Sequence, residues 1–270
     1  MSTDSTDVTG TRGHTFPGGT FRPAPGRAHP LRMLAAHTVL EAKLTLRHGE
    51  QVLLNLIIPL ALLIGLSTLH IGAVTEPRVD SVVPRVLALA VMSTAFTGQA
   101  IALGFDRRYG VIKRLSATAL PRWVLIGGRV LATLVVVALQ VVVLGITGLL
   151  MGWSPAVEGL LAAVPLFVLG TLAFGAAGVL VGGTLRAEIV LAVANAVWFV
   201  LLLAGGLALP PQDLPGAVGA LAHFLPSGAL AESLDATLAH GALPGLRPVL
   251  VLVAWGAVTG LVAGRTTRLT

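Results

Sequence analysis

The sequence contains no cysteine and few charged residues, and both shortages restrict what the protein can be. Without cysteine, neither disulfides nor thiolate metal sites are available. Only 11% of the 270 residues are charged, whereas 55% are hydrophobic, and the mean hydropathy is +0.88. An ordinary soluble domain is about 25% charged. The composition therefore excludes a soluble globular domain and indicates that lipid surrounds most of the chain.

Long apolar runs supply the membrane-spanning segments that this composition requires. About 20 apolar residues in a helix cross a hydrocarbon core of roughly 30 Å. Six runs have this character, with predicted bounds 51–69, 82–105, 123–151, 157–181, 189–209 and 246–263. They do not alternate with polar residues, which favours helices over the strands of a membrane barrel. We therefore predict an all-α membrane protein whose six-span domain covers residues 51–265.

Lysine and arginine indicate on which side of the membrane each segment lies. Cytoplasmic loops carry an excess of these residues, and 15 of the 18 cations are cytoplasmic if both termini are. The three exceptions are Arg78, Arg85 and Arg247. The positive charge therefore reports topology, since a nucleic-acid surface needs a basic face with stacking aromatics in a soluble domain. The 16 arginines against two lysines suggest a GC-rich bacterial genome, and hence a bacterial cytoplasmic (inner) membrane.

Two segments precede the first span. Residues 1–30 are rich in Ser, Thr, Gly and Pro, and we predict that they form a disordered cytoplasmic tail. Residues 31–50 place apolar side chains at helical spacing on one side, namely Leu31, Leu34, Ala35, Val39, Ala42 and Leu46. This pattern predicts an amphipathic helix in the membrane interface. Whether it is only solvated or also packs on a partner is left open.

The link between spans two and three carries five cations in RRYGVIKRLSATALPRW, residues 107–123. Its apolar residues recur on one helical face: Val111, Ile112, Leu115 and Ala119. Cations that only fix topology and bind anionic lipid would explain the charge. A helix that docks on another protein would also explain the apolar face, a break at Gly110 and the only tyrosine, Tyr109. Pro121 stands where the next helix can begin.

Residues 106–132, DRRYGVIKRLSATALPRWVLIGGRVLA, resemble a motif of the ABC-2 type permeases, the membrane subunits of ATP-driven exporters, including the daunorubicin-resistance-like group. The matching positions are Gly110, Lys113, Arg114, Leu115, Ala117, Thr118, Leu120, Gly128 and Arg129. Ala119 stands where the family usually has proline. Residues 214–234 are similar to the family's extracellular segment of short re-entrant helices between the last two spans. The order of elements agrees over residues 31–265.

The resemblance implies a coupling helix that a separate P-loop ATPase subunit receives, with ATP and Mg²⁺ bound by that partner. The implied coupling residues are Asp106, Arg107, Arg108, Tyr109, Gly110, Val111, Ile112, Lys113, Arg114 and Leu115. It also implies a second permease copy or a paralogue, so a homodimer or a heterodimer, in the lipid bilayer. The chain has no G-x-x-x-x-G-K-[ST] loop. We expect a permease subunit of an ABC exporter with no catalytic, cofactor or metal site of its own.

Two other function classes make different demands on the sequence. An ion-coupled carrier requires ionisable residues at mid-membrane depth, whereas Arg85, Arg129 and Glu158 lie near span ends, where they can snorkel. An integral membrane enzyme requires a nucleophile, an acid–base pair or a metal cluster. The histidines and acids between spans five and six, such as His223 and Asp235, lack tight ligand spacing. Both alternatives are therefore less favoured than the permease.

Neutral polar residues in the spans have two interpretations. They are Asn55, Gln99, Gln140 and Asn195. Each can hydrogen-bond to a neighbouring helix. Alternatively, Asn55, Gln99 and Asn195 line a translocation path.

The segment between spans five and six contains four prolines and short apolar stretches. Leu221, Phe224 and Pro226 belong either to an outer gate or to a passive cap.

Glycines recur at four-residue steps in three predicted spans. The sets are Gly148 with Gly152, Gly178 with Gly182, and Gly256 with Gly260 and Gly264. Such steps let helix backbones approach closely. The approach is either within one chain or between two permease copies.

Overall fold

The computed structural model describes residues 29–47, 49–68, 78–116 and 121–266. Every regular element in these ranges is helical, with no strand among them, so the predicted all-α class is confirmed. The predicted disordered tail, residues 1–30, lies outside the described residues except for its last two. The first helix begins at Pro30.

The described α-helices are α1 (Pro30–Arg47), α2 (Gly49–Thr68), α3 (Arg78–Met92), α4 (Gln99–Arg108), α5 (Val111–Ser116), α6 (Arg122–Leu150), α7 (Val157–Thr184), α8 (Ala187–Ala204), α9 (Gly216–Ala222), α10 (Pro226–Leu238) and α11 (Leu246–Thr266). A π-helix, Ser93–Gly98, joins α3 to α4, and a 3₁₀ turn, Pro211–Asp213, precedes α9. Pro121 forms the N-cap of α6 with an extended ψ of 144°, as its position in the sequence indicated.

Five of the described helical segments are long and apolar enough to cross a membrane. They are Arg78–Arg108, Trp123–Leu150, Val157–Thr184, Ala187–Ala204 and Leu246–Thr266. The apolar part of α2 that was searched, Asn55–Thr68, is shorter, so the sixth span stays a prediction. The fifth span was predicted to end at residue 209. This is wrong, because helix α8 ends at Ala204. The chain turns at Gly205 and Gly206, because Gly206 has a φ of +74°.

The continuous helix formed by α3 and the π-helix lies at the centre of the bundle. Every residue from Val82 to Phe96 is buried, and α2, α6, α7 and α10 pack around α3. The other long helices expose large apolar side chains on their outer faces, as Val142, Leu161 and Val258 show. Apolar faces of this kind are stable in lipid. The buried helix formed by α3 and the π-helix supplies the core of the bundle.

Small residues allow α7 to pack directly on the backbone of that central segment. A Cβ on Gly178 would lie 2.7 Å from the carbonyl oxygen of Phe96, and one on Gly182 would collide with the carbonyl of Ala100. Both contacts are made within one chain. For this glycine pair the structure therefore favours intramolecular packing.

The predicted interfacial helix forms as α1 and packs along α6. His37 and Ala42 are its buried residues, and His37 lies against Gly128 of α6. The predicted apolar stripe is divided, because Leu31 and Val39 stay exposed while Ala42 faces the protein. The face turned to α6 carries polar groups as well, which the periodicity did not indicate.

The bundle has two ends that differ in chemistry. We call the end that carries α1, α5 and the α7–α8 turn the α5 end. The opposite end carries the start of α3, the link between α6 and α7, α9 and α10, and we call it the α10 end. There the Ser154 amide donates to an Asp80 carboxylate oxygen at 3.2 Å, and Ser227 of α10 donates to the carbonyl of Leu201 at 2.9 Å.

Candidate coupling site and polar cavities

The predicted coupling segment forms a sharp corner at the α5 end. Helix α4 ends at Arg108, Tyr109 and Gly110 form the turn, and α5 follows. Gly110 has a φ of +67°, in the left-handed region that side chains with a Cβ rarely adopt. A Cβ would meet no atom there, so the conformation rather than crowding explains the glycine.

Arg107 connects this corner to α7 through hydrogen bonds. Its guanidinium donates to the carbonyl oxygens of Gly182 at 3.0 Å and Leu185 at 3.2 Å. These carbonyls lie at the C-terminal end of α7, where the helix dipole favours a cation. Arg107 therefore satisfies orphan carbonyls of its own chain.

Four side chains of the corner point outward. Tyr109 is 64% exposed, and Arg108, Lys113 and Arg114 are exposed too. Arg108 forms an ion pair with Glu188 of α8, and Arg114 donates to the carbonyl oxygen of Tyr109 at 2.9 Å. Half-buried Val111, Ile112 and Leu115 form the inner face of α5, as the periodicity predicted.

A groove of about 640 Å³ lies between this corner and the α7–α8 turn. Its charged lining residues are Arg107, Arg108, Lys113, Arg186 and Glu188. Four cations against one acid make the groove electropositive. It is a surface that an acidic protein segment or an anionic lipid complements.

A charged cluster connects the corner to α1 and α6. Arg129 of α6 forms an ion pair with Asp106, and its Nε lies 4.0 Å from a carboxylate oxygen of Glu41. The other Glu41 oxygen lies 3.7 Å from His37 Nε2. Two acids of neighbouring helices therefore hold the partly exposed Arg129, and its ability to snorkel stays a prediction.

Asn55 and Gln99, two of the three predicted path residues, come together beside this cluster. They line a cavity of about 100 Å³ with Glu41, Thr94, Arg129 and Thr133. Gln99 donates to the Thr133 hydroxyl, and Gln140 donates to the backbone carbonyl of Asn55 at 3.1 Å. These bonds also fit the alternative interpretation, in which the polar residues join helices.

Asn195, the third, lies elsewhere. It is exposed on the outer face of α8, and none of the described residues hydrogen-bonds to its side chain. A polar amide on an apolar span costs free energy in lipid unless a partner covers it. The structure therefore does not group Asn195 with Asn55 and Gln99.

The π-helix is a feature that sequence reasoning missed. Its residues, Ser93–Gly98, stand next to the cavity that Asn55 and Gln99 line. Thr94 donates to Gln140 Oε1 at 2.8 Å, and Trp198 of α8 donates to the Ser93 hydroxyl at 2.8 Å. π-Helices are rare and frequent at functional sites. The only signal was the run of small polar residues STAFTG inside an apolar span.

The predicted gate residues are at the α10 end, but they do not share one environment. Leu221 and Phe224 are 52% and 60% exposed, whereas Pro226 is buried at the start of α10. The indole of Trp255 donates to the carbonyl oxygen of Phe224 at 3.0 Å, which fixes the turn between α9 and α10 to α11. The gate and the cap both stay predictions.

A second group of charged side chains lies next to α9 and α10. Arg247 donates to both carboxylate oxygens of Glu232, at 2.7 and 2.8 Å, and His223 Nδ1 lies 3.0 Å from Glu232. His240 pairs with Asp235 at 3.8 Å. Among the described residues, no three His, Cys, Asp or Glu side chains are placed to hold a metal ion. Arg85 is buried at 8% exposure, so the expectation that its side chain reaches the surface by snorkelling is wrong.

Comparison with known families agrees with the resemblance carried by residues 106–132. The ABC-2 type transporter family matches residues 34–238, about three quarters of the chain. No curated protein matches the chain. The family match covers the corner, the groove beside it, the charged cluster, the cavity lined by Asn55 and Gln99, and the short helices α9 and α10. The chain therefore belongs to the ABC-2 type transporter family.

Proposed function

We propose that the chain is the permease subunit of an ABC exporter and that it binds a separate P-loop ATPase through the corner formed by α4 and α5. The observation that carries this proposal is that some side chains of the corner face outward while others bind the neighbouring helices. Tyr109, Lys113 and Arg114 face outward, while Asp106 and Arg107 tie the corner to α6 and α7.

This arrangement suits the transmission of movement. A partner that displaces α5 also displaces Asp106, which is paired with Arg129 on α6. It displaces Arg107 too, which holds the end of α7. Because packed helices shift as rigid bodies rather than deform continuously, ATP binding and hydrolysis in the partner would move both long helices.

Topology and lipid binding are the competing explanation for the cations. A topological signal needs only positive charge. It does not need an exposed tyrosine or a left-handed glycine turn that leads into an ordered short helix. These features support a protein partner, with the corner on the cytoplasmic side of the bacterial inner membrane. The apolar face of α5 is turned toward the chain itself and does not distinguish the two explanations.

The polar residues of the spans support two further parts of the proposal, a substrate path and a second permease subunit. Asn55 and Gln99 line the substrate path where the cavity beside the π-helix widens during transport. A second permease copy or a paralogue covers the outer face of α8 and provides a partner for Asn195. The transported compound is not specified by these residues, since fold and path polarity are shared by many exporters.

The test is capture of the ATPase from membranes. We expect the tagged wild-type chain, solubilised in mild detergent, to retain a P-loop ATPase that mass spectrometry quantifies. Reversing Lys113 and Arg114 to glutamate should reduce that ratio by about tenfold or more, because like charges then face the docking partner. Arg107 is left intact, since it stabilises α7.

The matched control reverses Arg32 and Arg265, two exposed cations distant in sequence from the corner. This variant should retain the ATPase, so that net charge alone is excluded as the cause. Equal capture by both variants would reject docking at the corner. Absence of any ATPase from the wild-type sample would reject the proposed mechanism.

A further inference from the structure

The largest cavity described in the chain lies at the α10 end, away from the coupling corner. Its volume is about 750 Å³, within the range of about 300–1,000 Å³ that small-molecule sites occupy. The walls come from α3, α9, α10 and the turn after α8. Nothing in the proposed coupling mechanism uses this cavity.

Arg85 provides a buried cation on the α3 wall. Its Nε donates to the backbone oxygen of Ser81 at 2.8 Å, and Nη2 lies 3.4 Å from the Ser81 hydroxyl. A guanidinium has five N–H donors. None of the described residues accepts a hydrogen bond from Nη1, so part of the fork is free to bind a ligand.

Asp235 provides an anion on the α10 wall. Its carboxylate accepts no hydrogen bond from the described residues, its side chain is 39% exposed, and His240 Nδ1 lies 3.8 Å from it. It does not form an ion pair with Arg85 within 4.0 Å, although the two charges attract each other. The cavity thus separates two opposite charges, each with unused hydrogen-bonding capacity.

The other charges on the cavity wall are already paired or outside its centre. Glu232 is held by Arg247 and His223, and Asp80 accepts from the Ser154 amide. A single cation in the cavity would leave Arg85, which is 8% exposed, without a close counter-charge. A single anion would leave Asp235, whose side chain is 39% exposed, with only His240 beside it, at 3.8 Å. Poorly solvated charges without close partners are costly, so a ligand with both charges satisfies the site best.

From this separation we infer that the cavity binds a zwitterion that carries a phosphate and an ammonium group, with the phosphate on Arg85 and the ammonium on Asp235. Guanidinium binds phosphate through parallel N–H bonds, and an ammonium group donates up to three bonds to a carboxylate. This chemistry is shared by the phosphoethanolamine headgroup of a lipid and by soluble phosphoethanolamine. The inference concerns binding and does not depend on the ATPase partner.

The experiment is calorimetric titration of the purified full chain in detergent. The probes are soluble phosphoethanolamine, dihexanoyl phosphatidylethanolamine below its micellar concentration, and inorganic phosphate. At least one of the two zwitterions should bind about tenfold or more tightly than phosphate, because only a zwitterion engages both charges. Preference for the lipid identifies a headgroup site, and equal binding of both zwitterions identifies a site for the soluble compound.

Substitutions test which ligand group each of the two charges binds. Asp235→Asn should weaken binding of the zwitterion by about tenfold without weakening phosphate binding, since only the ammonium contact is lost. Arg85→Gln should weaken both probes, with its thermal unfolding checked because the residue is buried. Glu158→Gln is the control, since Glu158 is exposed at the start of α7 and does not line the cavity.

Three results would overturn the inference. One is equal affinity of the wild-type chain and Asp235→Asn for the zwitterion. Another is phosphate binding as tight as that of both zwitterions. The third is equal binding of dihexanoyl phosphatidylcholine and dihexanoyl phosphatidylethanolamine, since the choline group has no N–H donor and equal binding would report the acyl chains alone.

Discussion

At the residue scale, one cluster of charged side chains connects three helices of the bundle. Arg129 lies between Asp106 of α4 and Glu41 of α1, three residues that are far apart in sequence. Its side chain is 21% exposed, so water screens the cluster only in part. Removal of one member therefore leaves like charges together in a poorly solvated place.

Arg129→Gln should lower stability by about 1–3 kcal/mol, because Asp106 and Glu41 then lose their shared cation. The double variant with Asp106→Asn should recover part of the loss, since one unpaired carboxylate is removed with it. Thermal unfolding in detergent measures both.

Arg108→Gln is the matched control, because Arg108 also pairs with an acid but its side chain is 50% exposed. Its loss should cost less than about 1 kcal/mol. A loss in Arg129→Gln no greater than in this control would show that the cluster is not stabilising.

Asp235 gives a pH-dependent prediction at the same scale. Burial in α10, which is not among the five candidate spans, raises the pKa of its carboxyl group, and nearby His240 and Arg85 lower it less. Between the ordinary pKa and the raised one, the folded state binds more protons than the unfolded state. Stability from this group is therefore lost as pH rises through that window.

Asp235→Asn should consequently raise the thermal midpoint at neutral pH, with the gain shrinking as the pH falls toward about 4. His223, His240 and Glu232 line the same cavity, so the scan is repeated with His240→Gln. The exposed Asp213→Asn should show no comparable gain. A variant less stable than the wild type at neutral pH would contradict the assignment.

At the element scale, the close packing of α7 on the central helix sets the shape of the bundle. Gly178 lies against the carbonyl oxygens of Ala95 and Phe96, where the π-helix changes the backbone path. A side chain there has no space, because backbone atoms cannot rotate away as a flexible side chain does. The π-helix and the glycine are therefore parts of one packing arrangement.

Gly178→Ala should destabilise the protein by about 1–3 kcal/mol, since the added methyl forces α7 away from the central helix. Gly175→Ala is the control on the same helix, where a Cβ meets nothing within 4 Å. Gly175→Ala should be neutral or slightly stabilising. Equal effects of the two changes on thermal unfolding would contradict the packing explanation.

At the scale of the whole molecule, the exposed face of α8 is where we propose that a second permease copy binds. Asn195 lies on this face with Phe199 and Val200, which are 56% and 58% exposed. Lipid covers the apolar neighbours well but offers the amide no hydrogen bond. A second copy related by a two-fold axis would bring the same residue against itself.

Because the chain has no cysteine, Asn195→Cys introduces a single thiol. Mild oxidation in membranes should produce a disulfide-linked dimer on non-reducing gels, which requires Cα atoms within about 7 Å. Leu161→Cys on the exposed face of α7 is the control and should stay monomeric. Absence of the Asn195→Cys dimer, or equal cross-linking in both, would reject a homodimer through this face.

The amino-acid sequence by itself determined the membrane class, the helical fold and the family. These properties depend on composition, on the length of apolar runs and on a local motif, all of which can be read along the chain. The corner was predictable for the same reason. Pro121 restricts the backbone, Gly110 permits the left-handed turn, and the apolar spacing of Val111, Ile112 and Leu115 defines the inner face of α5.

Only the tertiary structure decided which polar groups meet. Arg85 was expected to snorkel because it lies near a span end, yet neighbouring helices bury it, and Arg129 pairs with acids of two other helices. Asn55 and Gln99 share a cavity while Asn195 does not, because α8 turns that amide away from the bundle. The π-helix and the separation of Arg85 from Asp235 likewise depend on how distant helices pack, and no local periodicity records such contacts.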